Sequence, residues 1–254
     1  ISYCTQKGDG WHLMTRAEWA AIALWCKANG CLPKGNNNYG KDASEGGYKA
    51  IPAPGVNDSG RTARVLTGTG PVSWSHDGTL EGIWDLNGNI WEWNGGSRTV
   101  KGELQVLVNN NAADLDHSQA ASSAQWKAID ATTGAYITPN GSGTTANSIK
   151  LDWVSGKITY SATITTQADA SRDCAFASVT CASSVSAAAQ AVLKALAFLP
   201  ASATASEYED DHMWMNNGAD ERAFYSGGYW ADGANAGLFA LYGNDPRSLS
   251  GWNL

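Results

Sequence analysis

Between Gly82 and Trp93 the chain reads Gly-Ile-Trp-Asp-Leu-Asn-Gly-Asn-Ile-Trp-Glu-Trp, with tryptophans at 84, 91 and 93 around a Gly-Asn turn. The run predicts a turn between two Trp-rich strands. Alternation of Ile90 and Glu92 with Trp91 and Trp93 gives the second strand two unlike faces. The whole chain has the same character. Its 12 Trp and 28 Gly imply many turns and loops held by large aromatic anchors, with modest regular structure.

Upstream, Thr15-Arg16-Ala17-Glu18 is a capping box, in which the Thr and Glu side chains satisfy backbone N–H groups left free at a helix start. Trp19, Ile22, Ala23 and Cys26 recur at helical spacing and Gly30 supplies the stop. This predicts an amphipathic helix of about three turns, with Trp19 and Ile22 facing a core. From Pro33 to Val72 the residues are mostly Gly, Asn, Asp and Pro, which predicts long irregular structure packed around something or ligating a metal. Asn36-Asn37-Asn38-Tyr39 reads as a short structured turn within it.

Residues Thr99 to Met213 are dominated by Ala, Ser and Thr. The spacing predicts an amphipathic helix around Ala120–Ile129 anchored by Trp126. It also predicts a hairpin from Leu151–Val154 to Lys157–Ile164 turning at Ser155-Gly156, and a helix around Ser186–Leu199 stopped by Pro200. The acidic run Glu207 to His212 reads as a solvated loop before the next strand. The last segment returns to the Gly/Asn/Trp texture of the beginning. Two like ends around an unlike middle imply one domain over 1–254: an N-terminal half at 1–98, an insertion at 99–213 and a C-terminal segment at 214–254.

Charge and composition exclude several classes. A net charge of −7 with no basic stripe argues against nucleic acid as a partner. No apolar run reaches the ~18 residues a membrane span needs, and Ile1 to Gly10 does not read as a signal peptide. Five cysteines leave at least one unpaired. Cys26 with Cys31, or Cys174 with Cys181, could close a small loop, and reduced thiols fit equally well. The four histidines are scattered, and no zinc spacing, Ser/His/Asp arrangement or phosphate loop is recognisable.

Two segments carry a family resemblance. Gly10-Trp11-His12-Leu13-Met14-Thr15-Arg16-Ala17-Glu18-Trp19 resembles the R-L-P-T-E-A-E-W helix start of formylglycine-generating-enzyme-type domains, and Gly88-Asn89-Ile90-Trp91-Glu92-Trp93 resembles their G-N-V-W-E-W signature. Together they imply an α+β, C-type-lectin-like fold, with long irregular loops, two or more helices and short antiparallel sheets. That fold is shared by those enzymes and by the variable proteins of diversity-generating retroelements. The enzymes use a pair of C-terminal cysteines to bind copper and activate oxygen. This chain has no cysteine after Cys181, so a formylglycine-generating-type oxidase is disfavoured.

The C-terminal segment, from Gly227 through Trp230, Ala236-Gly237-Leu238-Phe239-Ala240-Leu241 and on to Leu254, is similar to the retroelement variable region. There a fixed frame (G-G-x-W-x-x-G-x-x-A-G-x-F-A-L) is interrupted by positions mutated at template adenines. The interrupting residues here are Tyr229, Ala231, Asp232, Asn235, Tyr242, Asn244, Asp245, Leu249 and Gly251. All nine are reachable by randomising the adenines of an AAC codon, and Asn235 and Asn244 are what an unmutated template would leave. The frame residues are expected to be buried and the interrupting ones to face solvent. The family's segment continues into a Gly-Phe-Arg strand that this sequence lacks, so the resemblance implies truncation at Leu254.

The resemblance thus implies a non-enzymatic ligand-binding protein on a phage tail fibre or a bacterial surface. It would recognise a surface macromolecule of a host or neighbouring cell, be displayed as a homo-oligomer, and require no cofactor. Calcium is the one cofactor in view. In the enzyme family, backbone carbonyls and a carboxylate corresponding to Asn87, Gly88, Ile90 and Glu92 hold it. The alternative reading is that these groups satisfy buried backbone in a tight turn. A calcium-dependent sugar-binding lectin is the remaining rival, and its Glu-Pro-Asn-like loop is not found.

Overall fold

The computed structural model describes residues 2–47 and 50–251. Its helices are α1 (Ser2–Thr5), α2 (Arg16–Asn29) and α3 (Ala187–Ala195). A small hairpin, β1 (Asn57–Asp58) with β2 (Arg61–Thr62), stands apart. The remaining strands are β3 (Glu92–Val100), β4 (Glu103–Leu107), β5 (Trp126–Ile129), β6 (Tyr136–Ile137), β7 (Lys150–Val154), β8 (Lys157–Ser161), β9 (Arg172–Ala175), β10 (Thr180–Cys181), β11 (His212–Met215), β12 (Arg222–Gly227) and β13 (Gly237–Asp245). All eleven join one sheet, ordered β10-β8-β7-β4-β3-β12-β13-β11-β9, with β5 and β6 branching from β4. The chain is therefore α+β and mostly sheet.

One large sheet replaces the short separate sheets expected. The middle segment supplies strands at both ends of it, β10, β8 and β7 on one side and β9 on the other. Most pairings are antiparallel, while β10–β8 and β11–β13 are parallel. The two ends curl together: the Ile158 N–H of β8 points at the Cys174 Sγ of β9 at 3.5 Å. A single core gathers Trp19 and Ala23 of α2, Leu193 of α3, Tyr160, Phe176, Phe224 and Phe239.

Helix α2 follows from its sequence. Thr15 Oγ1 accepts the Glu18 N–H, Glu18 reaches back to the Thr15 N–H at 2.8 Å, and Gly30 ends the helix at φ 64° in the left-handed region. Trp19 is buried, with its indole N–H on the Leu238 carbonyl at 2.8 Å, so the helix is tied to β13 as well as packed on it. The hairpin β7–β8 forms about Ser155-Gly156, and Ser186 caps α3 through the Ala189 N–H.

Three expectations fail for identifiable reasons. Residues 120–129 form turns and then strand β5, because Gln105, Val106 and Leu107 of β4 pair with Ala128, Lys127 and Trp126. Ser123 Oγ also accepts the Gln125 N–H, a local bond that competes with helix. No strand precedes the Gly88 turn: Asp85, Gly88 and Asn89 all have φ between 62° and 74°, which breaks extension until Glu92. Finally, the acidic run is not solvated throughout. Asp211 is buried and accepts the Phe239 N–H at 2.7 Å, fixing β11 to β13.

Side-chain amides hold the long segment after Pro33 together. Asn36 and Asn37 are buried. Asn36 donates to the Ala63 carbonyl and to Asn89 Oδ1, and Asn37 donates to Asp42 and to Asn87 Oδ1. Among the described residues no three His, Cys, Asp or Glu side chains gather as a metal site. All five cysteines are free thiols.

Candidate ligand-binding surface

Period-two alternation sends the side chains of β3, β12, β13 and β11 to opposite faces. Phe224, Phe239, Leu241, Met213 and Met215 enter the main core, while Trp93, Tyr225, Ala240, Tyr242 and Trp214 form a second cluster on the other face. Strand register puts four of those rings in one row: Trp93 opposite Tyr225, Tyr225 opposite Tyr242, and Tyr242 opposite Trp214. Tyr225 and Tyr242 are stacked, with centroids 4.8 Å apart and planes 14° apart. Trp91 lies against the row, contacting Tyr225 at 5.2 Å, Tyr242 at 5.5 Å and Trp214 at 5.7 Å.

The loop between β12 and β13 closes this row into a cleft. Gly227 and Gly228 have φ 95° and 85°, and a Cβ on Gly228 would lie 2.3 Å from that of Ala236. The turn therefore needs glycine to bring its two arms together. Asp232 Oδ2 accepts the Tyr229 N–H at 2.9 Å and fixes the loop. Trp230 is fully buried, with its indole N–H on Asp58 Oδ2 at 3.3 Å. The result is a cleft of ≈ 320 Å³ lined by Trp91, Trp214 and Tyr225 together with Tyr229, Asp232, Tyr242, Asp245 and Leu249.

Five of the nine interrupting residues thus come together in one place. The frame residues Trp230, Leu238, Phe239, Ala240 and Leu241 are buried. Solvent exposure of the interrupting residues is less uniform than expected. Leu249 and Gly251 are exposed, and Tyr229, Ala231, Asp232, Asn235, Tyr242 and Asp245 are partly buried. Asn244 is buried because its amide is held against the segment before β9, donating to Ser171 Oγ at 2.6 Å. Ala231 and Asn235 lie beside the cleft loop without lining the cleft. Trp252, Asn253 and Leu254 lie outside the described residues.

Sequence reasoning missed Trp214 and Tyr225 as cleft residues, and took Trp91 only as part of a signature. The alternation His212-Met213-Trp214-Met215 carried the signal for a two-faced strand.

The electrostatics of the cleft are acidic. Burial raises the Asp232 carboxyl to about 7, against which its bond from the Tyr229 N–H acts weakly. Tyr225 donates its hydroxyl to Asp245 Oδ2 in a short hydrogen bond. Burial, then the hydrogen bond to Asp245 and its charge, hold the Tyr225 phenol protonated far above its ordinary range.

The residues named for calcium sit on the far side of the Gly227 turn, where the Gly88 N–H donates to the Gly227 carbonyl at 2.8 Å. The Asn87 side-chain amide is engaged, donating to the Pro33 carbonyl and accepting from Asn37. Burial, then the charge of Asp85, raises the Glu92 carboxyl to about 7. Asp85 is itself raised by burial, and its Oδ2 is buried with no hydrogen-bond partner. Two carboxylates raised by burial, with no ion-pair partner among the described residues and beside backbone carbonyls, fit a hard oxygen-preferring ion in donor chemistry.

Comparison of the chain with protein-family models and with curated proteins finds no match.

Proposed function

We propose that this chain is a non-enzymatic binding protein, a C-type-lectin-like scaffold of the retroelement variable-protein type that presents its ligand to the cleft between β11, β13 and the β12–β13 loop. The reading rests on one observation. Tyr229, Asp232, Tyr242, Asp245 and Leu249 were singled out as interruptions of a fixed frame, and they line one cleft while the frame beneath them is buried. Side chains on a rigid, packed frame can be exchanged without moving the backbone, which is how a recognition surface changes specificity. Aromatic rings supply contact area at low entropy cost and the carboxylates supply selectivity.

Residues 99–213 are, on this reading, an insertion that has become part of the same sheet and leads through β11 into Trp214 at the cleft. The oxidase alternative would need a thiol pair in the C-terminal segment, and no cysteine stands between Cys181 and Leu254. Calcium, when bound, would be held by the Glu92 carboxylate with the Asn87, Gly88 and Ile90 carbonyls, stiffening the turn under the cleft. The partner is a macromolecule on a host or neighbouring cell, and display of several copies on a tail fibre or cell surface would raise a weak single-site affinity.

The deciding experiment is sequencing of this locus and its flanking DNA from sister isolates. Differences should cluster at Tyr229, Ala231, Asp232, Tyr242, Asp245, Leu249 and Gly251, opposite adenines of a nearby near-copy beside a reverse-transcriptase gene. An invariant segment with no template repeat would end the diversification reading.

A further inference from the structure

We infer that the cleft recognises an alkylated ammonium group, such as a choline-type headgroup or a methylated lysine side chain. The inference deepens the proposed binding reading and rests on the same cleft. Four features carry it.

The rings of Trp91, Trp214, Tyr225 and Tyr242 line the cleft, set at angles from 14° to 87° to one another. A cation gains from each ring quadrupole it faces, and most from tryptophan. Two carboxylates, Asp232 and Asp245, line the same cleft. Among the described residues neither has an ion-pair partner, and no Lys or Arg stands over any of the four rings. The negative charge is therefore left for something that enters. Partial burial raises the Asp232 carboxyl to about 7, and a cation entering the cleft would favour its ionised form.

Size and polarity narrow the class. At ≈ 320 Å³ the cleft lies at the small end of ligand pockets, about 300–1,000 Å³, and suits one headgroup or side chain. The carboxylates are acceptors, and Tyr225 already gives its hydroxyl to Asp245. A neutral sugar needs donors and acceptors together, whereas a methylated ammonium needs only negative charge and π-faces.

The test titrates the purified chain with choline and, in parallel, with its neutral isostere 3,3-dimethylbutan-1-ol, followed by calorimetry and by saturation transfer to the ligand methyl protons. Choline should bind at least about tenfold tighter than the isostere, the size of effect a desolvated cation–π site gives. Asp232→Asn keeps an acceptor for the Tyr229 N–H and should weaken choline about tenfold without affecting the isostere. Leu249→Lys, at an exposed rim position that cannot disturb the core, should place a cation of the protein's own in the cleft and reduce choline binding similarly. Equal binding of the two probes, a neutral methyl glycoside that outcompetes choline, or no binding of choline would each overturn the inference. Sequence variation at the cleft positions together with no choline binding would leave the diversified-surface reading standing. Choline binding with an invariant locus would do the reverse.

Discussion

Tyr225 and Tyr242 lie face to face across neighbouring strands, 4.8 Å between centroids and 14° from parallel, and the Tyr225 hydroxyl is anchored on Asp245. Tyr225 belongs to β12 and Tyr242 to β13, so the stack ties the two strands together along the wall of the cleft. Aromatic pairs contribute about 0.5–1.5 kcal/mol beyond their buried area. A double-mutant cycle of Tyr225→Leu and Tyr242→Leu in denaturant titrations should therefore return a coupling of about 1 kcal/mol. Tyr225→Phe, which keeps the stack and removes the donor to Asp245, should lower stability by about 1–2 kcal/mol. A coupling near zero would mean that the two rings do not hold the cleft wall.

Arg16 is the second joint of the molecule. Arg16 is 1% exposed and, among the described residues, its guanidinium has no carboxylate partner. It donates to the Leu196 carbonyl at 2.8 Å, the Ala197 carbonyl at 2.6 Å and Ser226 Oγ at 2.9 Å, over the Phe198 ring. Burial lowers its pKa to about 9. It thus links the capping-box helix to the middle segment and to β12. Arg16→Ala would leave two carbonyls and a hydroxyl buried without a donor and should destabilise by about 3–5 kcal/mol. Arg16→Lys should recover less than half of that, because one ammonium on a flexible stem cannot span the planar fork of acceptors. Chemical denaturation of the three proteins measures both effects.

The parts of this architecture that could be read in the sequence are those written locally. The capping box and Gly30 define α2 within a few residues of each end, Ser155-Gly156 closes β7 on β8, and Ser186 starts α3. The aromatic row was not readable, because it joins Trp93, Tyr225, Tyr242 and Trp214 through pairings of strands far apart in the chain. Asp211 was misread for a related reason: in sequence it is one of several acids, and only the approach of Gly237 and Phe239 from β13 encloses it. Residues 120–129 have the spacing of a helix, but β4 offers them a strand partner, and tertiary pairing overrides a weak local preference. Of the cleft residues, Tyr229, Asp232, Tyr242, Asp245 and Leu249 were named from the sequence, while their convergence on one cleft needed the fold.

Stability should fall as the pH rises from about 4 to beyond 7. Glu92 and Asp232 are each raised to about 7 by burial, and Asp211, fully enclosed, is raised well above its ordinary value. In each case the folded state favours the protonated carboxyl. The stabilisation is complete below the unfolded-state pKa, near 4, and is lost as the pH passes the folded-state value. For Glu92 the effect is of order 3 kcal/mol, at 1.36 kcal/mol per pKa unit. Thermal melts at pH 5 and pH 8 should show the higher midpoint at pH 5. Glu92→Gln and Asp211→Asn should each reduce that difference, since an amide cannot ionise. A chain more stable at pH 8 than at pH 5 would contradict the burial of all three groups.

The same uncompensated charge gives calcium a measurable signature. An ion held by Glu92 and the turn carbonyls binds the ionised carboxylate, so its effect should be largest above pH 7, where the apo protein is weakest. Ligand that binds only the folded state stabilises by about 2.7 kcal/mol at a hundred times its Kd. For a chain of this length that corresponds to a rise in Tm of roughly 5–10 °C, at about 2–4 °C per kcal/mol. Melts at pH 8 with calcium and with chelator should therefore separate for the native sequence and coincide for Glu92→Gln, while magnesium, smaller and reluctant to shed its water, should do little. Coincident curves for the native sequence would leave the turn held by its amides alone: Asn36 on Asn89 and Asn37 on Asn87.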